Sequence, residues 1–284
     1  MEYSKDWEDY ELIDASLGYK YERWGKVYLL RPDPVAIWNN GNLIDKYRGK
    51  IDAIYYRSRE GGGEWKNINN IPPRWQIKYK DYTFNIKQMG FKHTGLFPEQ
   101  AVNWDYINEK LEGKKAKVLN LFAYTGGTTV AALKAGASVV HVDSSKGMVS
   151  WAKENVNDSG ANKEAVRYIV DDVIKFVKRE IRRGNKYDAI IMDPPSYGRG
   201  ANGEVWSLEK DLDELVKLCS ELLSDKPILF LINSYSGLSP VVLENILKSN
   251  IKYKGKISVG EVGLKCTNSD FLLPCGIYGR WEND

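Results

Sequence analysis

Val118-Leu119-Asn120-Leu121-Phe122-Ala123-Tyr124-Thr125-Gly126-Gly127-Thr128-Thr129 runs from a short apolar stretch through paired glycines into a helix-permissive segment. It reads as a strand over 118–122, a tight turn and a helix over 128–135. The same alternation continues downstream. Strand-like runs at 138–142, 166–170, 187–192 and 228–232 alternate with helical runs at 145–157, 173–183, 208–223 and 240–248. Two further strand-like runs come near 256–262 and 271–278. Alternation of this kind predicts an α/β fold with a mostly parallel, seven-stranded sheet and helices on both faces.

Upstream the pattern changes. Residues 1–88 carry five of the nine tryptophans, Trp7, Trp24, Trp38, Trp65 and Trp75. Strand-favouring runs at 27–30, 53–56 and 83–86 are separated by Arg31-Pro32-Asp33-Pro34, Asn39-Asn40-Gly41-Asn42, Gly61-Gly62-Gly63 and Pro72-Pro73. This predicts a small, mainly β domain over 1–88 and a second domain over 89–284. The N-terminal aromatics could stack exposed bases; the more usual use is the core of a small β domain.

Composition narrows the class. The 284 residues are 43% hydrophobic and 28% charged, which suits two globular domains. No apolar run approaches the roughly 20 residues of a membrane span, and the first residues lack the apolar stretch of a secretory signal. Cys219, Cys266 and Cys275 have no metal-ligand spacing and read as reduced thiols of a cytoplasmic protein. Two histidines, His93 and His141, are too few for a histidine-based metal site, so no metal is expected. A net charge of +3 permits an anionic partner such as RNA without requiring one.

In open α/β sheets ligands bind beyond the C-terminal ends of the strands, so the residues just past each strand matter most. After the first come Gly126 and Gly127, which allow close backbone approach to a ligand or simply a tight turn. The Gly-x-Gly-x-x-Gly dinucleotide spacing is absent. After the second comes Asp143, about 20 residues on, where an acid can accept from both hydroxyls of a ribose; it could equally cap the next helix. After the third come Asp171 and Asp172, suited to an adenine edge or again to capping. After the fourth comes Asp193-Pro194-Pro195-Ser196-Tyr197-Gly198, whose prolines fix the backbone just past the strand. The basic run Lys178-Arg179-Glu180-Ile181-Arg182-Arg183 falls at a helix C-terminus, where cations complement the dipole, and so reads as structural. Arg199 is better placed to meet a phosphate.

The order glycine loop, acid, acid, Asp-Pro-Pro resembles that of class I S-adenosylmethionine-dependent methyltransferases, which have a Rossmann-like fold. Residues 91–100 (Phe91-Lys92-His93-Thr94-Gly95-Leu96-Phe97-Pro98-Glu99-Gln100), 120–127, 142–146 and 193–200 are similar to the bacterial large-subunit ribosomal RNA methyltransferase group. The likeness covers roughly 85–280, and no PUA RNA-binding domain is visible. The resemblance implies that Thr94, Phe97 and Gln100 close over the methionine end of S-adenosyl-L-methionine. It implies that Phe122, Ala123, Thr125 and Gly126 line its back. Asp143 with Ser144 would hold the ribose, and Asp172 and Val173 the adenine. Asp193, Pro194 and Tyr197 would face the methyl acceptor, with Asp193 also touching the cofactor. The stretch after the fifth strand, Ile232-Asn233-Ser234-Tyr235-Ser236-Gly237, has no cysteine, unlike relatives that methylate carbon 5 of pyrimidines. The expected function is methylation of a base nitrogen in ribosomal RNA. A protein or small-molecule acceptor, and a non-catalytic cofactor- or RNA-binding module, are the alternatives the sequence leaves open.

Overall fold

Leu119, Leu121 and their neighbours in the strand Lys117–Leu121 are buried, as a strand must be when helices cover both faces of its sheet. The computed structural model describes residues 1–58, 62–199, 203, 205–235 and 237–284. Gly61 of the triple-glycine turn, Gly200 after the Asp-Pro-Pro motif and Ser236 after the fifth strand lie outside the described residues. Lys117–Leu121 pairs in parallel with Ser138–Asp143 on one side and Ala189–Met192 on the other. Val166–Val170 and Leu229–Ser234 extend the sheet in parallel at either side. Leu272–Glu282 adds antiparallel to Leu229–Ser234, and Lys256–Lys265 lies outermost. Numbered along the chain, the seven strands stand in the order 3-2-1-4-5-7-6. The mostly parallel α/β sheet is therefore as expected. The connections depart in opposite directions from the first and fourth strands, and that switch point is where such sheets bind ligands.

Helices Gly127–Lys134, Lys146–Asp158, Val173–Arg182, Leu208–Ser220 and Pro240–Asn250 come after the first five strands in turn. Their starts carry local signals. The Ser145 hydroxyl accepts from the Met148 N–H (3.4 Å), the Asp172 carboxylate accepts from the Lys175 N–H (2.9 Å), and Pro240 occupies a first-turn position. Elements not anticipated include a helix and a two-stranded ribbon. Helix Ala101–Leu111 buries Ala101, Trp104, Ile107 and Leu111 at helical spacing. A two-stranded ribbon pairs Tyr197–Arg199 with Val205–Ser207; three-residue strands are too short to show a period.

The chain divides into two compact units. One holds the seven-stranded sheet and comprises Met1–Glu2, Val102–Val262 and Gly276–Asp284; the other comprises Tyr3–Ala101 and Gly263–Cys275. This differs from a cut at residue 88. The stretch 263–275 joins the N-terminal unit because its turn hydrogen-bonds the strand Tyr10–Ser16: Thr267 N–H reaches Leu12 O at 2.9 Å and Asn268 N–H reaches Ile13 O at 3.0 Å.

Within the N-terminal unit five strands form one sheet in chain order, Tyr10–Ser16, Tyr19–Trp24, Val27–Pro32, Ala53–Arg57 and Gly63–Asn67, and Trp75–Tyr79 pairs with Tyr82–Ile86. Its aromatics hold the fold. Trp24, Tyr21 and Tyr79 are fully buried. The indole N–H groups of Trp7, Trp38, Trp65 and Trp75 donate to the carbonyls of Pro98, Ala15, Met89 and Trp24. Beneath them Arg31 grips the buried Glu22 with two hydrogen bonds of 2.6 and 2.7 Å.

Candidate active site at the strand ends

The chain leaves the first strand through three left-handed residues, Phe122, Tyr124 and Gly126 (φ 54°, 49° and 84°). Two of these carry side chains, a conformation that costs roughly 1–2 kcal/mol each. Hydrogen bonds hold the loop there: Ala123 N–H to Val142 O (3.0 Å), Tyr124 N–H to Asp143 Oδ2 (2.9 Å) and Gly126 N–H to Ala123 O (3.0 Å). The buried Thr125 gives its carbonyl to Asn155 Nδ2 at 2.8 Å. A Cβ on Gly126 would lie 2.9 Å from Ala152 Cβ, and one on Gly127 2.7 Å from the Trp104 ring. Both glycines are therefore required by packing of the helices, and the tight-turn reading accounts for them.

Asp143 braces this loop. Its Oδ1 accepts from Ser145 N–H at 2.8 Å while Oδ2 accepts from Tyr124 N–H. Burial pushes the carboxyl above its ordinary range, and those two N–H groups only partly offset it. Each carboxylate oxygen can accept a further bond. Ser144 beside it is exposed.

A cavity of about 290 Å³ opens next to the loop, lined by Phe122, Asp172, Val173, Ile174, Val205 and Trp206, with Lys175 and Lys178 at its edge. The Phe122 and Trp206 rings lie 5.2 Å apart. An apolar slot with a helix N-terminus at one edge suits a flat heteroaromatic ring. Asp172 both lines this slot and caps its helix. Asp171 is committed to structure: Oδ1 accepts from Asp172 N–H at 2.8 Å and Oδ2 pairs with Arg179.

The Asp-Pro-Pro loop is tied to the same slot. The Trp206 indole donates to Pro195 O at 2.6 Å, and Leu208 N–H to Ser196 O at 3.0 Å. One ring thus walls the cavity and fixes the loop. Pro194 is buried, and Asp193 Oδ1 accepts from Asn233 Nδ2 at 3.0 Å. The ribbon's register sets Tyr197, Arg199 and Val205 on one face and Gly198 and Trp206 on the other. Tyr197 is 56% exposed, and Arg199 is exposed too.

A family profile for S-adenosylmethionine-dependent methyltransferases matches residues 45–250. The chain belongs to the S-adenosylmethionine-dependent methyltransferase family. It is similar to a solved S-adenosylmethionine-dependent methyltransferase from Agrobacterium tumefaciens, at 33% identity and a TM-score of 0.92, covering 99% of this chain and 92% of that one. It is 31% identical to ribosomal RNA large subunit methyltransferase K of Neisseria meningitidis, over 80% of this chain and 65% of the relative. It is 30% identical to ribosomal RNA large subunit methyltransferase K/L of Shewanella frigidimarina, over 78% of this chain but 29% of the relative. The chain thus matches about a third or less of the K/L protein's length.

S-Adenosylmethionine would find features that suit it: the slot between Phe122 and Trp206 would take a flat ring such as adenine, and the Asp143 carboxylate has acceptor capacity that ribose hydroxyls could use. Asp143→Ala is therefore expected to weaken S-adenosylhomocysteine binding by roughly 1.5–3 kcal/mol, the worth of hydrogen bonds to a charged acceptor. Ribose hydroxyls favour the carboxylate, so binding lowers the Asp143 pKa. Affinity should hold above the raised pKa of the free enzyme and fall as pH drops through it. Calorimetry across pH reads both effects; unchanged affinity in folded Asp143→Ala removes the ribose role.

Thr94, Phe97 and Gln100 belong to the N-terminal unit. Thr94 is fully buried, and its hydroxyl has no hydrogen-bond partner among the described residues. Phe97 meets His93 edge-on at 5.4 Å, and Gln100 closes the turn Pro98–Gln100. A cavity of about 660 Å³ also lies in that unit, lined in part by Trp7, Arg23 and Lys265. There Arg23 bonds Glu11 and the carbonyls of Gly25 and Glu8, Lys265 lies 4.0 Å from Asp270, and Lys5 sits over the Tyr3 ring. Sequence reasoning missed Trp206 and Asn233. Asn233 carried a usable signal, a polar residue near a strand's C-terminal end. Trp206 carried none, because the ribbon that delivers it was invisible.

Proposed function

We propose that this protein methylates a nitrogen of a base in large-subunit ribosomal RNA, in the cytoplasm, with Asp193, Pro194 and Tyr197 facing the acceptor. The observation that carries the proposal is the coupling of the slot to the Asp-Pro-Pro loop through Trp206, whose ring walls the slot and whose indole N–H donates to Pro195 O. The ribosomal RNA methyltransferases among its relatives support the choice of acceptor, as does the exposed pair Tyr197 and Arg199. An aromatic ring can stack on an unpaired base while a guanidinium meets the backbone phosphate.

S-Adenosylmethionine supplies an electrophilic methyl carried on a sulfonium. The protein's own task is then alignment. An exocyclic amine is held in the ring plane by resonance. Asp193 and the Pro194 carbonyl, accepting its N–H groups, would orient the amine and free its lone pair. Positioning in a water-poor site supplies most of the acceleration for such a displacement.

Carbon-5 chemistry needs a thiolate, and the thiols are unsuited to it. Burial pushes Cys266 up to about 11 and raises Cys219 and Cys275 as well. Single Cys→Ala variants at 219, 266 and 275 are expected to keep methyl transfer, and RNA carrying 5-fluoropyrimidines to trap no adduct. A covalent adduct on any cysteine would replace nitrogen by carbon as the target.

The place of Thr94, Phe97 and Gln100 has its own readout. S-Adenosylhomocysteine should slow amide exchange within 91–104; unchanged exchange there removes these residues from the cofactor site. The function itself is tested by incubating the protein with tritiated S-adenosylmethionine and separate RNA, protein and metabolite fractions. Label in the large-subunit RNA is expected, and label confined to another fraction rejects the proposal.

A further inference from the structure

Behind Asp193 the sheet unit carries a run of buried polar side chains that the expected site did not include. Asn233 Nδ2 donates to Asp193 Oδ1 at 3.0 Å. Asn233 Oδ1 accepts from Asn103 Nδ2 at 3.4 Å. Asn103 Oδ1 accepts from an Arg280 Nη2 at 2.8 Å, and Arg280 pairs with Glu2 at 3.0 Å. Asn233 and Asn103 are each 1% exposed. Tyr278 and Tyr106 flank the guanidinium, with ring centroids 3.9 and 4.4 Å from its carbon.

The chemistry of the two ends fixes the middle. A guanidinium only donates and a carboxylate only accepts. Both asparagine amides must therefore point their oxygen toward Arg280 and their nitrogen toward Asp193. Reversing either amide would set two donors or two acceptors face to face inside the protein, a costly arrangement. The run is thus one directed relay from a buried cation to a carboxylate, with elements from four places in the chain holding it.

We propose that Asn233 is a positioning residue for methyl transfer, and that Arg280, acting through Asn103, sets its orientation. The inference rests on the reading that Asp193 meets the acceptor. With Oδ1 tethered to Asn233, the carboxylate cannot rotate freely.

Two independent readouts test this. The first is turnover on large-subunit RNA lacking the modification, with calorimetric titration of S-adenosylhomocysteine as the control. Asn233→Ala should lose about 10- to 100-fold in kcat, the worth of a hydrogen bond to a charged group, with cofactor affinity and the KM for RNA nearly unchanged. Arg280→Leu should lose part of this, Arg280→Lys less, and Arg280→Leu should add little once Asn233→Ala is present, because members of one relay are not additive. Losses shared equally by kcat and cofactor affinity, or fully additive losses, would overturn the proposal. The second readout needs no acceptor: carbon NMR of the labelled Asp193 carboxyl. Arg280 and Glu2, the charged groups along the relay, are retained in Asn233→Ala, so the titration isolates the amide. It should move upward, because the amide donor to the carboxylate is gone; an unmoved titration overturns the relay even where RNA is methylated. If the parent methylates no RNA while this titration moves, the acceptor assignment fails and the relay stands.

Discussion

Asp193→Ala is expected to bind S-adenosylhomocysteine within a few-fold of the parent and to lose methyl transfer by roughly 10²- to 10³-fold. The separation comes from where the side chain sits. The apolar slot is walled by Phe122, Val173 and Trp206, and the Asp-Pro-Pro backbone is held by the Trp206 indole on Pro195 O. None of these contacts uses the Asp193 carboxylate, whose Oδ1 instead accepts from Asn233. Truncation removes the acceptor for the incoming N–H and leaves the cofactor's surroundings in place. Asp193→Asn should recover only part of the rate, because an amide offers one acceptor where the carboxylate offers two. Calorimetry and single-turnover transfer, on the same preparations, separate binding from chemistry. Turnover within a few-fold of the parent would remove Asp193 from the catalytic role.

The largest stability effect is expected in the N-terminal unit, at Arg31. Glu22 has no exposed side-chain surface, and it accepts from Arg31 Nε and Nη2 at 2.6 and 2.7 Å and from the Tyr10 hydroxyl at 2.8 Å. Burial alone would raise the Glu22 pKa; Arg31 and then Lys20 outweigh it and leave the carboxyl below its ordinary range. Arg31→Leu strands a buried carboxylate and should cost about 3–5 kcal/mol. The pair Glu22→Leu with Arg31→Leu should recover most of that loss, since removing both charges removes the desolvation penalty. The sign of the pH dependence separates the two cases. In the parent the depressed pKa gives stability that is present above the unfolded value and is lost as pH falls through the folded value. In Arg31→Leu the pKa is raised, so the variant's deficit shrinks as the medium becomes acidic. Urea unfolding monitored by tryptophan fluorescence at several pH values measures both. An Arg31→Leu cost below about 1 kcal/mol, typical of an exposed pair, contradicts the account.

The sheet was legible because its strands announce themselves twice, once as short apolar runs and again by the turn and acidic residues at their C-terminal ends. Asp143 and Asp193 could be located at strand ends before any geometry was known. Residues whose roles depend on long-range closure were not legible. Asn103 and Arg280 lie far from Asp193 in sequence, and nothing local marks them as partners. Trp206 sits on a ribbon whose strands are three residues each, below the length at which alternation can be read. The paired glycines show the opposite hazard. They stand in the expected loop, yet Ala152 and Trp104 leave no room for a Cβ, so packing is reason enough for them. The grouping of 263–275 with the N-terminal unit leaves no trace in composition, because it rests on hydrogen bonds between stretches distant in sequence.

The proposed reaction is methylation of a base of large-subunit ribosomal RNA, with Asp193 facing the acceptor. Mass mapping of nuclease fragments of that RNA, from cells with and without this gene, tests it most directly. One fragment should lose a single methyl group when the gene is deleted, with the methyl on a base nitrogen. The parent gene should restore it, and the Asp193→Ala gene should not. Identical fragment masses in the two strains, or restoration by Asp193→Ala, would contradict the account.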